Sequence, residues 1–407
     1  MVDKDNTTES AVDNSEVDVN RATNNDKATP TLDEIRSQSF VPFSKPNHTK
    51  PESGRRIWSN VFFCVVILLS LYLMYDLSSQ VADGKSKNFA EVMSHADVGY
   101  LLLSVATLFV VMLFDSLKYF VILKTIAPTK TSYKLALKTS LVGKYYDNIT
   151  PFSSGGQPFQ IYHLHKKGFT GGKSSAVIMI KYAFNVTFWL AICFCLMTLN
   201  KDVLVTYVKN PDHIAWLQIC GWIGFGINLS LPFLVLCFAF LPKITSKIVA
   251  FFLKIGAKLK LVKNDEDALE HAKRLAYEFR NGFVIMAKKP LRAAILVLLC
   301  IAEPLLSMIL PYFVTLALSG GTIVPGAEMM FAIMTLNVYS SMSVMFVPTP
   351  GNSLAVESLF LLALENVVAP TVLFWTVLCW RFLSYYVYIV IGLVFTMVGM
   401  VKKNAKK

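Results

Sequence analysis

Two short polar stretches interrupt apolar sequence, and proline and glycine break both. The first is Asn148-Ile149-Thr150-Pro151-Phe152-Ser153-Ser154-Gly155-Gly156-Gln157-Pro158. The second is Pro348-Thr349-Pro350-Gly351-Asn352-Ser353, with Glu357 just beyond. Proline removes a backbone donor and glycine loosens the chain, so a helix is not expected to run through either. The freed backbone groups, the hydroxyls of Thr150, Ser153, Ser154, Thr349 and Ser353, and the amides of Gln157 and Asn352 can bind a polar group without net charge. N–H groups at the start of a half-helix favour anions such as phosphate. Gly155-Gly156 lets backbone approach a ligand closely.

Single charges inside apolar runs are the second set of candidates. They are Asp115, Lys118, Lys181, Glu303 and Arg381. Each costs roughly 2.5–3.5 kcal/mol to insert, so each should face a cavity or a partner. At 1.5 Å per residue, Glu303 lies about 18 Å from the inner end of its run and Arg381 about 15 Å from the outer end of its own. A Glu303–Arg381 pair at mid-membrane is geometrically allowed. Its competing roles are a structural ion pair and a phosphate clamp, with Arg381 as the fork donor. Asp115 and Lys118 are three apart on one helix and can pair. Snorkelling to the interface competes with a buried role for Lys118 and Lys181.

Enzyme signatures are missing: the sequence contains no G-x-S-x-G elbow, P-loop or dinucleotide fingerprint. No catalytic residue, metal site or cofactor is expected. His163 and His165 stand two apart in a basic stretch and read as headgroup or solvent contacts rather than metal ligands. The seven cysteines lie in apolar runs without C-x-x-C spacing and read as packing residues.

The elements that must position these residues follow from composition. The chain is 54% hydrophobic and 16% charged, against about 25% charged in a soluble domain. An all-α integral membrane fold is expected. The net charge of +12 gathers at the ends of apolar runs. That pattern suits topology and anionic inner-leaflet lipids, not nucleic acid. Six spans are expected, at 57–75, 98–123, 174–199, 214–240, 291–318 and 371–400, since a span needs roughly 20 apolar residues. Trp58, Trp216 and Trp375 suit interfacial anchors. Stretches 133–165 and 327–366 hold the breaks and are expected to be re-entrant. The polar tail 1–56 has a disordered composition. No cleaved signal peptide is expected, because the first apolar run starts only near Ile57.

Loop charge orients the spans. Arg55 and Arg56 place the N-terminus in the cytoplasm. Lysines flank 133–165 on both sides, whereas 319–370 has neither Lys nor Arg. The two re-entrant stretches should therefore enter from opposite faces. The segment 243–289 is basic and suits amphipathic helices on the inner leaflet. The basic tail 401–407 is expected inside. The result is an inverted repeat, with one half at 57–199 and the other at 200–400. Thr150-Pro151 and Thr349-Pro350 stand 199 residues apart, Lys181 follows Pro151 by 30, and Arg381 follows Pro350 by 31.

Tyr146-Asp147-Asn148-Ile149-Thr150-Pro151 with Gly155-Gly156-Gln157-Pro158, together with Pro348-Thr349-Pro350-Gly351 and Glu357, resembles the lysylphosphatidylglycerol synthase transmembrane family. This is the flippase-like membrane part of the bacterial multiple peptide resistance factor. The resemblance extends over roughly residues 55–400. It implies a bacterial plasma-membrane protein that moves aminoacylated phosphatidylglycerol to the outer leaflet, contributing to resistance against cationic antimicrobial peptides. In full-length members a soluble domain adds lysine; this sequence shows no such domain.

A lipid translocase is therefore the leading expectation. Its substrate site would draw on Asn148, Thr150, Pro151, Ser153, Gly155, Gly156, Gln157, Thr349, Pro350, Gly351, Asn352, Glu357, Glu303, Arg381, Asp115 and Lys181. The alternatives are a phosphatidylglycerol lysyltransferase component and a non-transporting membrane subunit. The expected partners are membrane phospholipid, anionic inner-leaflet lipids and a second copy in a homo-oligomer.

Overall fold

The structure is a computed structural model that describes residues 87–240, 266–345 and 347–394, with Leu68, Tyr72, Tyr75 and Asp76 before them. The expected tail 1–56, most of span 57–75, residues 243–265 of the basic segment and the tail 401–407 lie outside the described residues. The described part is helical, without strands apart from one isolated β-bridge.

A short α1 (Phe89–Ser94) leads into α2 (Val98–Ile126). Asp97 caps α2 by accepting from the N–H groups of Gly99 and Tyr100 at 2.8 and 3.3 Å, and Lys124 sits in its last turn. Both placements suit the helix dipole. A 3-10 turn at Pro128–Lys130 redirects the chain into α3 (Tyr133–Ile149), and α4 follows (Gly156–Lys166). Next come α5 (Gly171–Leu199), α6 (Val203–Tyr207) and α7 (Pro211–Phe240). After residue 265 come α8 (Glu266–Ala287), α9 (Pro290–Leu318), α10 (Ala327–Ser343) and α11 (Ala355–Leu364). The last element, α12 (Pro370–Val394), contains a π-turn at Phe382–Tyr386.

Five of these helices, α2, α5, α7, α9 and α12, are long and apolar enough to cross a membrane. At 29 residues, α2, α5 and α9 each reach about 44 Å, beyond a hydrocarbon core of about 30 Å. Pro304 and Pro311 lie inside α9, which neighbouring helices make tolerable at membrane depth. The helix α9 packs along α2. One broken pair, α3 and α4, packs on α2 and α5; the other, α10 and α11, packs on α9 and α12. The order of long helix, broken pair, long helix thus occurs twice.

Inside lipid no water-driven force pulls helices together, so close packing must hold them. Gly224 of α7 shows this. A Cβ there would stand 2.1 Å from the carbonyl oxygen of Met342 in α10. Apolar packing falls into two clusters. One joins Leu108 of α2, Leu190 and Cys193 of α5, and Met308 of α9 to α10, α11 and α12. The other joins Ile122 of α2, Ala176 and Ile180 of α5, Phe279 and Phe283 of α8, and Leu296 of α9. Asp115 and Lys118 of α2, Lys181 of α5 and Glu303 of α9 sit between the two clusters.

Candidate functional site

The first break is sewn by side chains. The Thr150 hydroxyl donates to the Tyr146 carbonyl at 2.6 Å and accepts from the Gly155 N–H at 2.8 Å. Phe152 and Ser153 take left-handed backbone, with φ of 56° and 50°. The new helix starts with the Gly156 N–H donating to the Asp147 carboxylate at 2.8 Å. A Cβ on Gly156 would lie 2.3 Å from that carboxylate, so any other residue would push Asp147 off the start of the helix. Tyr146 stacks on Phe159 across the break at 3.6 Å.

The second break repeats the device with other partners. The Thr349 hydroxyl donates to the Ser353 carbonyl at 2.8 Å, and Gly351, Asn352 and Leu354 are left-handed. Arg381 lies over this break. Its Nε donates to Glu357 at 2.6 Å, and its terminal nitrogen donates to the Gly351 carbonyl at 2.6 Å and to the Ser353 hydroxyl at 3.3 Å. Left-handed non-glycine residues each cost on the order of 1–3 kcal/mol and cluster at sites where strain serves function.

The two breaks touch. Pro151 and Pro350 form the isolated antiparallel bridge. Tyr385, in the π-turn of α12, ties both sides. Its hydroxyl lies 2.9 Å from the Asn148 carbonyl and 3.2 Å from the Pro350 carbonyl, as donor, and its own carbonyl accepts from the Asn148 amide at 3.1 Å. Its ring lies against Gly351, where a Cβ would come within 2.1 Å, and Arg381 covers it at 4.2 Å. π-turns inside α-helices frequently mark functional positions.

Between the apolar clusters lies a charged layer. Asp115 pairs with Lys181 at 2.9 Å and with Lys118 at 3.4 Å, and it accepts from the Ser140 hydroxyl. Lys118 also pairs with Glu303 at 3.0 Å and donates to Asn185. Lys118 is fully buried. A single ammonium thus links α2 to α9. Mutual pairing offsets the several kcal/mol that each ion would lose by leaving water.

Beside this layer opens a polar cavity of about 190 Å³. Asp115 and Tyr119 of α2 line one wall; Ser140, Lys144 and Asp147 of α3 line another. Gln157 and Gln160 of α4 and Lys181, Tyr182 and Asn185 of α5 close it. Ser140, Lys144 and Asp147 recur at i, i+4 and i+7, which puts them on one face of α3. Lys144 makes no ion pair among the described residues; its ammonium lies 5.6 Å from the centroid of the Tyr388 ring. Two ammonium groups beside the start of α4 suit an anion, and the two carboxylates suit a cation. Among the described residues no group of three or more His, Cys, Asp or Glu could hold a metal.

Several expected placements differ. Glu303 pairs with Lys118 and Arg381 with Glu357, so the Glu303–Arg381 pair that helix geometry allowed does not form. Lys118 does not snorkel, because two carboxylates hold it inside. Of the expected site residues, Asp115, Lys181 and Gln157 line the cavity. Asn148, Thr150, Pro151, Ser153, Gly155 and Gly156 build the first break; Thr349, Pro350, Gly351, Asn352, Glu357 and Arg381 build the second. Arg381 is occupied by Glu357, Gly351 and Ser353 and is absent from the cavity wall. Lys144, Asp147, Gln160, Asn185 and Tyr385 were not anticipated. The polar i, i+4, i+7 face of α3 was the available signal for Lys144 and Asp147.

A family model described as "Lysylphosphatidylglycerol synthase TM region" matches residues 60–392. Comparison with curated proteins and with solved structures returns no match.

Proposed function

The chain is a multi-pass membrane protein belonging to the lysylphosphatidylglycerol synthase TM region family, and from that premise we propose that it is a lipid translocase. It moves a phospholipid, with aminoacylated phosphatidylglycerol the leading candidate, between leaflets of the bacterial plasma membrane. The polar cavity beside the first break carries this reading. A drug-sized ligand needs roughly 300–1,000 Å³. At about 190 Å³ the cavity suits a headgroup alone, with the acyl chains left in lipid. Lys144 and Lys181 meet the phosphate, and Asp147 meets a cationic substituent. The breaks supply the polar backbone that surrounds such a site.

The twofold order of helix, broken pair, helix supports an inverted repeat, the apolar run 57–75 supports a sixth span, and the basic flanks support cytoplasmic termini. In this reading the halves rock about the joint at Pro151 and Pro350, and the charged layer moves as a neutral unit. Carrying an aminoacylated lipid outward lowers the negative charge of the outer leaflet, which weakens attraction of cationic peptides.

The test is a flipping assay with the purified full chain in liposomes. It uses phosphatidylglycerol, lysyl-phosphatidylglycerol and phosphatidylcholine, with and without a proton gradient. Faster transfer of at least one headgroup than in protein-free vesicles supports translocation. Equal rates for all three, or lysyl-lipid synthesis by the chain from lysyl-tRNA without any transfer, would overturn it.

A further inference from the structure

We infer that the apolar groove between α5, α9 and α10 binds one acyl chain of the same lipid whose headgroup occupies the polar cavity. This rests on the translocase reading above and extends it to a second subsite. The groove measures about 420 Å³ and lies at the faces of these three helices. Six α5 residues line it, among them Phe188, Ile192, Cys195 and Leu199, opposite Leu305 of α9 and Phe331 of α10.

Register on α5 joins the two spaces. Lys181 and Asn185 line the polar cavity; Phe188, Ile192, Cys195 and Leu199 line the groove. The series advances by three or four residues at each step, so it is one stripe along one face of one helix. The stripe changes from polar at Asn185 to apolar at Phe188 within a single turn. A phospholipid makes the same change at its glycerol. From Phe188 to Leu199 the stripe rises about 16 Å, which matches one leaflet of a hydrocarbon core about 30 Å thick.

The groove begins level with the charged layer. Leu305 stands two residues beyond Glu303, whose carboxylate holds Lys118. It ends at Asn200, whose amide donates to Thr335 at 3.1 Å. Leu199 and Cys195 are exposed and Phe331 is 43% exposed, so the groove is open at its side. An acyl chain can thus enter sideways while the headgroup slides along α5.

The probe is phosphatidylglycerol carrying a terminal diazirine on one palmitoyl chain. It is mixed into phosphatidylcholine vesicles containing the purified full chain, irradiated, and located by peptide mass spectrometry. We expect adducts concentrated on Cys195, Leu199 and Phe331. They should fall about tenfold in Lys144→Ala, because losing the headgroup anchor releases the tail. Ala191→Trp changes an exposed groove residue and should displace the adducts without touching the headgroup site. Adducts spread evenly onto other exposed apolar residues, such as Trp216 and Ile219, would show bulk lipid and overturn the inference. So would groove labelling that is indifferent to Lys144→Ala in a protein of unchanged thermal stability. If Lys144→Ala does not fold, the same decision falls to competition by the deacylated headgroup: excess glycerophosphoglycerol and, separately, Ala191→Trp must each reduce labelling. Labelling is read without transport. A labelled, anchor-dependent groove in a chain that flips nothing would sink the translocase reading and leave the lipid site standing.

Discussion

At the scale of single residues, the buried charges sort into structural and free groups. Arg381 shows the distinction. Its guanidinium is spent on Glu357, Gly351 and Ser353, so its removal leaves a buried carboxylate without its cation. Breaking such a pair costs about 3–5 kcal/mol. Arg381→Ala should therefore lower the melting temperature in detergent sharply, whereas Glu357→Gln, which keeps an acceptor for Nε, should lower it less. Equal melting temperatures for wild type and Arg381→Ala would contradict this role. Asp115 offers a second case, since it serves two lysines. Asp115→Asn should destabilise strongly, and adding Lys181→Met should recover part of the loss by removing the surplus cation. Thermal unfolding of the single and double variants checks the recovery. The sequence exposed every one of these charges, because each stands alone in an apolar run. It did not expose their partners, because Lys118 and Glu303 are 185 residues apart and only packing of α2 on α9 joins them.

At the scale of elements, the joint between the two breaks is the moving part of the account. Proline and glycine made both breaks legible, and the threonines beside them do sew the loops. What makes the breaks touch was not legible: a single bridge and a tyrosine from a third element create the contact. Tyr385 gave no signal, because a tyrosine in an apolar run reads as ordinary packing and the π-turn leaves no mark in composition. Antiparallel partners stand about 4.5–5.5 Å apart at Cα, within the span a disulfide closes. Pro151→Cys with Pro350→Cys, in a chain otherwise free of cysteine, should therefore cross-link on oxidation. Flipping should stop when the bond forms and return on reduction. Undiminished flipping in the cross-linked protein would exclude movement at this joint. Gly351→Ala should destabilise by more than about 1 kcal/mol, because left-handed backbone and the Tyr385 ring both exclude a side chain.

At the scale of the whole molecule, the polar cavity belongs to the first broken pair and the long helices beside it. Composition and loop charge led to an all-helical membrane chain with two broken stretches, and described residues contain five crossing-length helices with two broken pairs. The cavity is not shared by both breaks. The cavity walls come from α2, α3, α4 and α5 alone, and the second break is closed around Arg381. The open polar space thus lies beside the first broken pair. Under the proposed inverted repeat, rocking about the joint would open a matching space beside the second. The direct measurement is the flipping rate of lysyl-phosphatidylglycerol and phosphatidylglycerol in liposomes containing wild type, Lys144→Arg or Lys144→Ala at matched protein density. The account predicts transfer in wild type, retention in Lys144→Arg, and a loss of about tenfold or more in Lys144→Ala with unchanged melting temperature. Equal rates in all three proteins would contradict it.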